Sequence, residues 1–455
     1  MKLLEPETWS AYQGAFIGLW TDSTHAYALY EPGELVAVLL RDGTYPALPY
    51  PGADWFQRLA KDLNGHIAVG FEASGTAIEQ SRAPDGRAAW PVFNGPDQEG
   101  VHQIALGPVY GEITEPAHFR VFALGERVLK LQTRLGYAHR GILELIQGKS
   151  PRQAARYAAR IAGDATIAHS IAFARAAESA LEVEAPARAH FLRAIMAEIE
   201  RLANHCGDLG EIAKITRFMA LAARCAGLRE ALADAALAVF GHRLMMDIVV
   251  PGGVTKDIEK ARVEELHDLL EMMERETAHL RGLFARNASL KDRLADIGII
   301  TPLLASSYHA GGYVGRGSGQ THDARKAPGY PPYAAIEMAV PVEQAGDIEA
   351  RVKVRLVEMG VSINLIRQFL SDLPDGPLAL AMPVESGMGV AVAESFRGPV
   401  WHWLKIENGH IQDGFMIDAS ATQWVLLEHA ALTSSLVDVP LIERSINPSA
   451  AAVDG

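Results

Sequence analysis

The stretch ARIAGDATIAHSIAFARAAE, residues 159–178, joins a Gly-Asp pair to an alanine-rich segment that continues as a helical pattern. Ala162 and Ala165 stand three positions apart, which is the spacing of a C-x-x-C pair of metal ligands leading into a helix, and His169 follows. Neither position is a cysteine. The stretch therefore has the spacing of a thiolate metal site and lacks the thiols that bind the metal.

The chain has 455 residues, 49% of them hydrophobic, and a formal net charge of −13. This length and hydrophobic content predict a large core divided between two or more domains. The negative charge argues against nucleic acid as a partner, because phosphate binding needs a basic surface. Cys206 and Cys225 are the only cysteines, which predicts two structural thiols in a reducing compartment. We expect neither a signal peptide nor a transmembrane segment, since no window approaches the roughly 18 apolar residues of a membrane helix.

Positive charge is concentrated between residues 117 and 160, where the acidic residues are only Glu126 and Glu144. This pattern fits either a solvated basic face or a docking surface for an acidic partner. The basic residues of the segment are Arg120, Arg127, Lys130, Arg134, Arg140, Lys149, Arg152, Arg156 and Arg160.

Residues 1–95 predict a small α+β domain. The strings HAYALY and ELVAVLLR have the apolar content of strands, and GADWFQRLAKDLNG predicts one amphipathic helix that ends at Gly65. The string FNGPDQEG, residues 93–100, is typical of a linker to a second domain over residues 100–455. The string HFRVFALGERVLKLQTRLG then predicts a β-hairpin.

From Ser150 and Pro151 onward the apolar residues recur with the period of a helix, and this pair is suited to a helix start. We expect a bundle of long helices with flanking β-hairpins, so the predicted fold class is α+β. The Gly-rich segment 309–333 is too long for an ordinary connection and predicts a functional loop or one that docks on a partner. A further helix and β-hairpins over residues 387–417 follow. The long helical patterns cover residues 151–181, 187–206, 211–240 and 257–287.

Eight motifs occur in one order along the chain: GPVYGEITEPAHFRV, RLGYAHRGI, RIAGDATIAHS, RLANHCGDLG, VPGGVTKD, GRGSGQTHDAR, ESFRG and VDVPLIERSINPSA. Together they resemble the large subunit of energy-converting, group 4 [NiFe] hydrogenases and its relative, the 49 kDa subunit of respiratory complex I. The resemblance covers about residues 100–455. Residues 1–95 resemble the 30 kDa subunit of complex I more weakly, through the strings DLNGHIAVGFEAS and DGRAAWPVF.

The resemblance implies a subunit of a membrane-associated complex that lies on the cytoplasmic, inner face of the cell membrane. The implied partners are an iron–sulfur small subunit, which would carry the iron–sulfur clusters, and membrane subunits. In the hydrogenases, four thiolates from two motifs hold nickel and iron. The matching positions here are Ala162, Ala165, Ser449 and Ala452. A hydroxyl and three methyl groups cannot replace four thiolates, so we expect this chain to bind no metal and no cofactor of its own.

The complex I relatives also lack these cysteines, and the resemblance implies that they bind a quinone headgroup in the vacated cavity through a His and a Tyr. His118 matches the His, whereas the Tyr position falls near Gly163 and is missing. Arg316 matches an arginine that overhangs the metal cavity, and His169 is retained. We therefore expect His118, His169 and Arg316 in an acceptor pocket, with Asp164 and Ser449 as its wall.

Each of these residues also has a purely structural interpretation. His118 fits a hydrogen-bonding residue at a strand start, His169 a core histidine, Arg316 a loop residue, and Asp164 a surface charge at a helix start. His205 and the pair Asp323 and Arg325 are expected to be polar residues that hold the fold.

Three functions follow from these alternatives. The first is a redox subunit that transfers electrons to a quinone-like or unknown acceptor. The second is a scaffold or coupling subunit without catalysis, and the third, which the missing thiols argue against, is an active hydrogenase.

Overall fold

The structure is a computed structural model that describes residues 1–71, 93–109 and 115–454. Residues 72–92, with most of the DGRAAWPVF string, and residues 110–114 of the first motif lie outside the described part. The elements of the N-terminal part are β1 (Lys2–Leu3), α1 (Pro6–Ser10), β2 (Phe16–Thr21), β3 (His25–Tyr30), β4 (Glu34–Leu39), β5 (Thr44–Pro46), α2 (Ala53–Asn64) and β6 (Ile67–Val69). A four-stranded sheet has the order β1-β4-β3-β2, and α2 packs on β2. As predicted, α2 ends at Gly65, which takes the left-handed conformation.

The strands that follow are β7 (Val101–Leu106), β8 (His118–Leu124), β9 (Arg127–Arg134), β10 (Val249–Val250), β11 (Gly253–Val254), β12 (Gly387–Glu394), β13 (Pro399–Glu407) and β14 (His410–Ile417). β7, β8 and β9 form one antiparallel sheet, and β12, β13 and β14 form another. The two predicted hairpin regions are therefore confirmed.

The N-terminal sheet packs against the C-terminal sheet. The Trp20 ring stacks on Phe415 at 5.3 Å and contacts Trp403 at 5.4 Å between centroids. Beside these rings, the Lys405 ammonium lies 3.2 Å from a carboxylate oxygen of Asp22. Aromatic side chains of this size bury a large apolar area, so residues 1–71 share their core with the segment after residue 387.

The helices that follow the N-terminal part are α3 (Ile142–Ile146), α4 (Pro151–Ala158), α5 (Thr166–Ala180), α6 (Ala187–Ile215), α7 (Met219–Phe240), α8 (Lys260–Arg286), α9 (Ala288–Asp292), α10 (Pro302–Ser307), α11 (Gly312–Arg316), α12 (Ile348–Ser371), α13 (Ser420–Ala430), α14 (Val439–Ile446) and α15 (Ala451–Asp454). α6, α7, α8 and α12 pack on one another as a bundle, and α5 packs on β12 and β13. The α+β fold class with a helix bundle is confirmed. No helix of the described ranges is long and apolar enough to cross a membrane.

Two predicted helix boundaries are wrong. The single helix over residues 151–181 is two helices, α4 and α5, and the chain leaves helical structure between them at residues 159–165, the opening motif. α6 instead continues through Gly207 and Gly210, where a break was predicted. A Cβ at Gly210 would lie 3.1 Å from the Cβ of Cys225, so this glycine lets α7 approach α6 closely. Tertiary packing therefore outweighs the low helix propensity of glycine here.

Residues 310–318 of the Gly-rich segment 309–333 are buried inside the chain, so the prediction that the segment docks on a partner is wrong for these residues. Gly312 has φ +60, and a Cβ there would lie 1.7 Å from the carbonyl oxygen of Arg397. A Cβ on Gly315 would lie 1.9 Å from the carbonyl oxygen of Ala310. The glycines are needed because backbone meets backbone at these points.

We expect Gly312→Ala to lower the free energy of unfolding by more than about 2 kcal/mol, since it combines a left-handed backbone with a steric clash. The matched control is Gly227→Ala in the exposed part of α7, where a Cβ meets nothing within 4 Å. That change should stabilise the chain by roughly 0.5–1 kcal/mol. Urea denaturation of both variants measures the difference, and an unchanged midpoint for Gly312→Ala would contradict the close packing.

Candidate functional site

Two of the eight motifs, RIAGDATIAHS and VDVPLIERSINPSA with the residues directly after it, carry the four thiolate positions. These two motifs lie next to each other in the structure. Arg140 donates from Nη1 to the carbonyl oxygen of Arg160 at 2.8 Å and from Nη2 to that of Ile161 at 2.6 Å. The same Nη2 lies 3.4 Å from the carbonyl oxygen of Ala451 in the C-terminal motif. One guanidinium thus links the segment before α5 to the segment at the end of the chain.

A second arginine, Arg397, joins the same two segments. Its Nη1 donates to Oδ1 of Asp164 at 2.9 Å, its Nη2 donates to Oδ2, and its Nε donates to the carbonyl oxygen of Asn447 at 2.6 Å. The Arg397 side chain is only 2% exposed. Burial disfavours the guanidinium charge, but the Asp164 carboxylate holds the pKa of Arg397 above its usual range. Such a two-pronged contact is the strongest geometry that an arginine makes with a carboxylate.

The residues at the four thiolate positions are all buried. Ser449 donates from Oγ to Oε2 of Glu115 at 2.7 Å and accepts from the backbone N–H of Ala452 at 3.0 Å. The methyl groups of Ala162, Ala165 and Ala452 belong to the hydrophobic core. Apolar packing and hydrogen bonds therefore fill these positions.

A cavity of about 250 Å³ opens beside the Arg397–Asp164 pair. Its wall carries opposite charges close together, and its charged and hydroxyl side chains include Asp164, Asp208, Arg397, Glu443, Arg444 and Ser449. Burial raises the pKa of Glu443, against the effect of the neighbouring Arg444. Asp164 and Ser449 thus line one cavity, whereas His118, His169 and Arg316, which were expected in the same pocket, are not among the described residues that line it.

His118 lies at the start of β8, opposite Arg134 of β9. Its ring meets the Phe93 ring edge-on at 4.8 Å between centroids. Partial burial, Arg120 and Arg134 lower the pKa of His118, which favours the neutral imidazole. The structure therefore places His118 on the hairpin, among basic side chains.

His169 is completely buried at the interface of α5 with the C-terminal sheet. Its Nδ1 lies 3.1 Å from Nε2 of His402, and its Nε2 lies 3.5 Å from Oδ2 of Asp418. Burial, together with His169, lowers the pKa of His402 well below its usual value of 6.5. Sequence reasoning missed His402 and Asp418, because they lie more than 200 residues from His169 and only the packing of α5 on the sheet brings them near.

Arg316 is also completely buried, and three carboxylates surround it. Its nitrogens lie 3.2 Å from Asp323, 2.6 Å from Glu358 and 3.0 Å from Glu394. The expected polar pair is present as well, with Arg325 2.7 Å from Asp323. This cluster is extended by Arg325 with Glu198, Arg201 with Glu198, and His205 with Glu358.

Burial and the nearby Asp323 raise the pKa of Glu394 to about 7, against the effect of Arg316. The cluster joins α6, α11, α12 and β12, so it connects the bundle to the C-terminal sheet. Removing one member of such a buried network leaves an uncompensated charge, which is strongly destabilising.

Most basic residues of the segment 117–160 interact with the chain itself. Arg120 and Arg134 lie over the Phe93 ring at 4.6 and 5.2 Å, and Arg160 forms a two-pronged contact with Asp247 at 2.6 and 2.8 Å. Arg140 links the two motifs, and Lys130 donates from Nζ to the carbonyl oxygen of Asn94 at 2.7 Å. Lys149 and Arg156 lie over the Tyr157 ring at 5.5 and 5.1 Å. For the remaining basic residues, both interpretations of the segment stay open.

The depressed pKa of His402 predicts a loss of stability in mild acid. Below about pH 6.5, His402 takes up a proton in the unfolded chain but not in the folded chain, where it is buried. The free energy of unfolding therefore decreases as the pH is lowered, by up to about 1.4 kcal/mol per pH unit for this group. Between about pH 7 and pH 5.5, the free energy of unfolding measured by denaturation should depend less steeply on pH for His402→Gln than for the wild type. His410→Gln, at an exposed histidine, should keep the wild-type slope, and an unchanged slope in His402→Gln would refute the assignment.

Two known protein families match parts of this chain. Residues 212–414 match the family described as the 49 kDa subunit of respiratory-chain NADH dehydrogenase, and residues 140–207 match the nickel-dependent hydrogenases. The carbon monoxide-induced hydrogenase of Rhodospirillum rubrum is 31% identical over 352 residues, which cover 76% of this chain and 97% of that protein.

Two further relatives have similar extents. Formate hydrogenlyase subunit 5 of Escherichia coli K12 is 27% identical over 90% of this chain and 77% of its own length. An NADH-quinone oxidoreductase subunit of Rickettsia bellii (strain OSU 85-389) is 32% identical over 63% of this chain and 73% of its own length.

Among solved structures, a chain of the membrane-bound sulfane sulfur reductase, an archaeal respiratory membrane complex, superposes with a TM-score of 0.74. The match covers 79% of this chain and 100% of that chain at 22% identity. At this identity the likeness establishes a shared fold.

Proposed function

Because the chain belongs to the family that contains the 49 kDa subunit of respiratory complex I and the large subunits of nickel-dependent hydrogenases, we propose that it works as a subunit of a complex I-like oxidoreductase without a nickel–iron centre. Its partners would be an iron–sulfur subunit and membrane subunits, with this chain peripheral on the cytoplasmic face of the membrane. The names of the relatives, which include a membrane-bound hydrogenase subunit, support a place in a membrane-associated complex.

The observation that carries the proposal is the chemistry between the two motifs. Nickel and iron of this kind need thiolates, and the chain has only Cys206 and Cys225, both buried in the α6–α7 interface. Between the motifs, the side chains form the Arg397–Asp164 pair and the hydrogen bond of Ser449 to Glu115. None of these groups supplies a soft ligand.

We further propose that the cavity beside Arg397 receives a small polar electron acceptor. Its charged wall suits such a molecule better than a quinone ring, since sites for apolar rings are lined mainly by apolar side chains. Electrons would come from the iron–sulfur partner, and each electron pair added to a carbonyl-like acceptor requires two protons. Glu443, whose pKa is raised by burial, would deliver one proton and solvent water the other, and Arg397 and Arg444 would stabilise the anion that forms first.

A scaffold role is the second candidate, and a specific observation favours it. Arg140 and Arg397 each hydrogen-bond to both motifs and hold them together, and Ser449 donates to Glu115. Such a site can preserve the fold for neighbouring subunits without binding a substrate. The predicted role of His118, His169 and Arg316 in an acceptor pocket stays a prediction under either function.

The absence of a nickel–iron centre predicts that the purified chain holds no stoichiometric nickel or iron. Elemental analysis of the isolated chain and of the intact complex measures this, with the iron of the complex assigned to the partner's clusters. About one nickel per chain, together with dye-linked hydrogen uptake, would overturn the proposal.

Glu443→Gln tests the redox role in the intact complex. Loss of a positioned proton donor should lower electron transfer to the acceptor by roughly 100-fold or more with assembly unchanged. The control is Glu271→Gln, at an exposed glutamate on α8 that pairs with Arg275, and it should leave the rate unaltered. Electron transfer at the wild-type rate in Glu443→Gln would contradict the redox role and favour the scaffold role. The assay is run with a small polar acceptor and with a quinone, and a rate with the quinone alone would contradict the acceptor class.

A further inference from the structure

A cluster of Glu31, His309 and His322 lies where the N-terminal sheet meets the Gly-rich segment. Oε2 of Glu31 is 2.6 Å from Nε2 of His309 and 3.4 Å from Nδ1 of His322. The two imidazole centroids are 4.2 Å apart, and the three possible ligand atoms all lie within 4.8 Å of one another. The sequence gives no spacing signal for this cluster, because 278 residues separate Glu31 from His309.

The backbone holds His309 in an unusual conformation. α10 ends with the N–H of Ala310 bonded to the carbonyl of Ala305 and the N–H of His309 bonded to that of Ser306. This pattern places His309 at the position after the helix cap, where glycine is preferred, and its φ is +51. A left-handed conformation costs a residue with a Cβ roughly 1–2 kcal/mol, so the chain keeps a histidine here against local preference. Its imidazole is directed at Glu31 as a result.

We propose that Glu31, His309 and His322 bind one divalent transition-metal ion of the zinc class. Two imidazoles and one carboxylate are a ligand set that zinc takes with bonds of about 2.0–2.2 Å. In a tetrahedral site with bonds of this length, ligand atoms lie roughly 3.4 Å apart. The distance of 3.4 Å from Glu31 Oε2 to His322 Nδ1 already has this value. The distance of 2.6 Å from Glu31 Oε2 to His309 Nε2 would reach it with a small shift of the side chains. The site lies outside the nickel–iron motifs, and it holds whether or not the proposed redox function does.

The surroundings of the cluster allow a metal ion to enter and leave one of its coordination positions free. The side chains of His309, Glu31 and His322 are 18%, 26% and 31% exposed, so solvent reaches the cluster. Glu31 and His322 line a cavity of about 750 Å³ that also contacts Thr321 and Lys326. Three protein ligands leave the fourth position of a tetrahedral ion for a water or an anion from this cavity.

Metal binding would fasten two distant parts of the chain. Glu31 lies in the turn between β3 and β4, whereas His309 and His322 flank α11 and the buried glycines. An ion held by all three would stabilise the folded state in proportion to its affinity, because the unfolded chain does not hold these residues together.

The test uses the full chain, stripped of metal with a chelator and then titrated with Zn²⁺ by calorimetry and with Co²⁺ by absorption. We expect one ion per chain, a Co²⁺ spectrum of a four-coordinate site, and a higher unfolding temperature with Zn²⁺. His309→Ala and Glu31→Gln should each weaken binding by at least about 100-fold and abolish the rise in unfolding temperature. His410→Ala, at an exposed histidine that bonds the carbonyl of Asn408, is the control and should bind as the wild type does.

Two results would overturn the proposal: no stoichiometric binding to the wild-type chain, or binding that His309→Ala and Glu31→Gln leave unchanged. Because the readouts are metal binding and stability, they are independent of electron transfer and of nickel content. Any nickel found in the wild-type chain but lost in His309→Ala would belong to this site and not to the two motifs.

Discussion

The contact between Arg397 and Asp164 is the interaction on which the arrangement of the site depends. In a nickel–iron protein the two motifs would be joined by a shared metal cluster. Here a buried guanidinium reaches the Asp164 carboxylate from one side and the Asn447 carbonyl from the other. The carbonyl of the same Arg397 packs on Gly312, so the Gly-rich segment is held against this contact as well. The Arg397 side chain thus contacts the segment before α5, the C-terminal segment and the cavity wall, and Arg140 adds a second link between the two segments.

A second buried polar cluster connects the helix bundle to the sheet. Three arginines and four carboxylates meet there without solvent, namely Arg201, Arg316, Arg325, Glu198, Asp323, Glu358 and Glu394. Charges in such a place are retained only when paired, so each helix that supplies one is fixed relative to the others. Arg316, matched from sequence to a residue above a metal cavity, lies inside this cluster. The fold can therefore be maintained by electrostatics while the chemistry between the motifs changes.

Much of the fold could be predicted from the sequence, because helical periodicity and hairpin turns are local signals. The α4 start at Ser150 and Pro151 and the α2 end at Gly65 follow from such signals. Gly210 misled the prediction, since its role is the close approach of α7 and not a helix end. The candidate site was harder to predict from the sequence. The pairing of His169 with His402, and that of Glu31 with His309, depends on tertiary packing between residues that are hundreds of positions apart. Arg397 lay within a recognised motif, but nothing local identified Asp164 as its partner.

The most direct measurement for this account is a double-mutant cycle on Asp164 and Arg397, using Asp164→Ala, Arg397→Ala and the double variant in urea denaturation. Because Arg397 is buried and its contact two-pronged, we expect each single change to cost about 3–5 kcal/mol and the coupling energy to be at least about 2 kcal/mol. The reference is the pair Arg160 and Asp247, about half exposed, whose coupling should stay below about 1 kcal/mol. A coupling for Asp164 and Arg397 no larger than that of the reference pair would contradict the claim that this contact joins the two motifs in place of a metal.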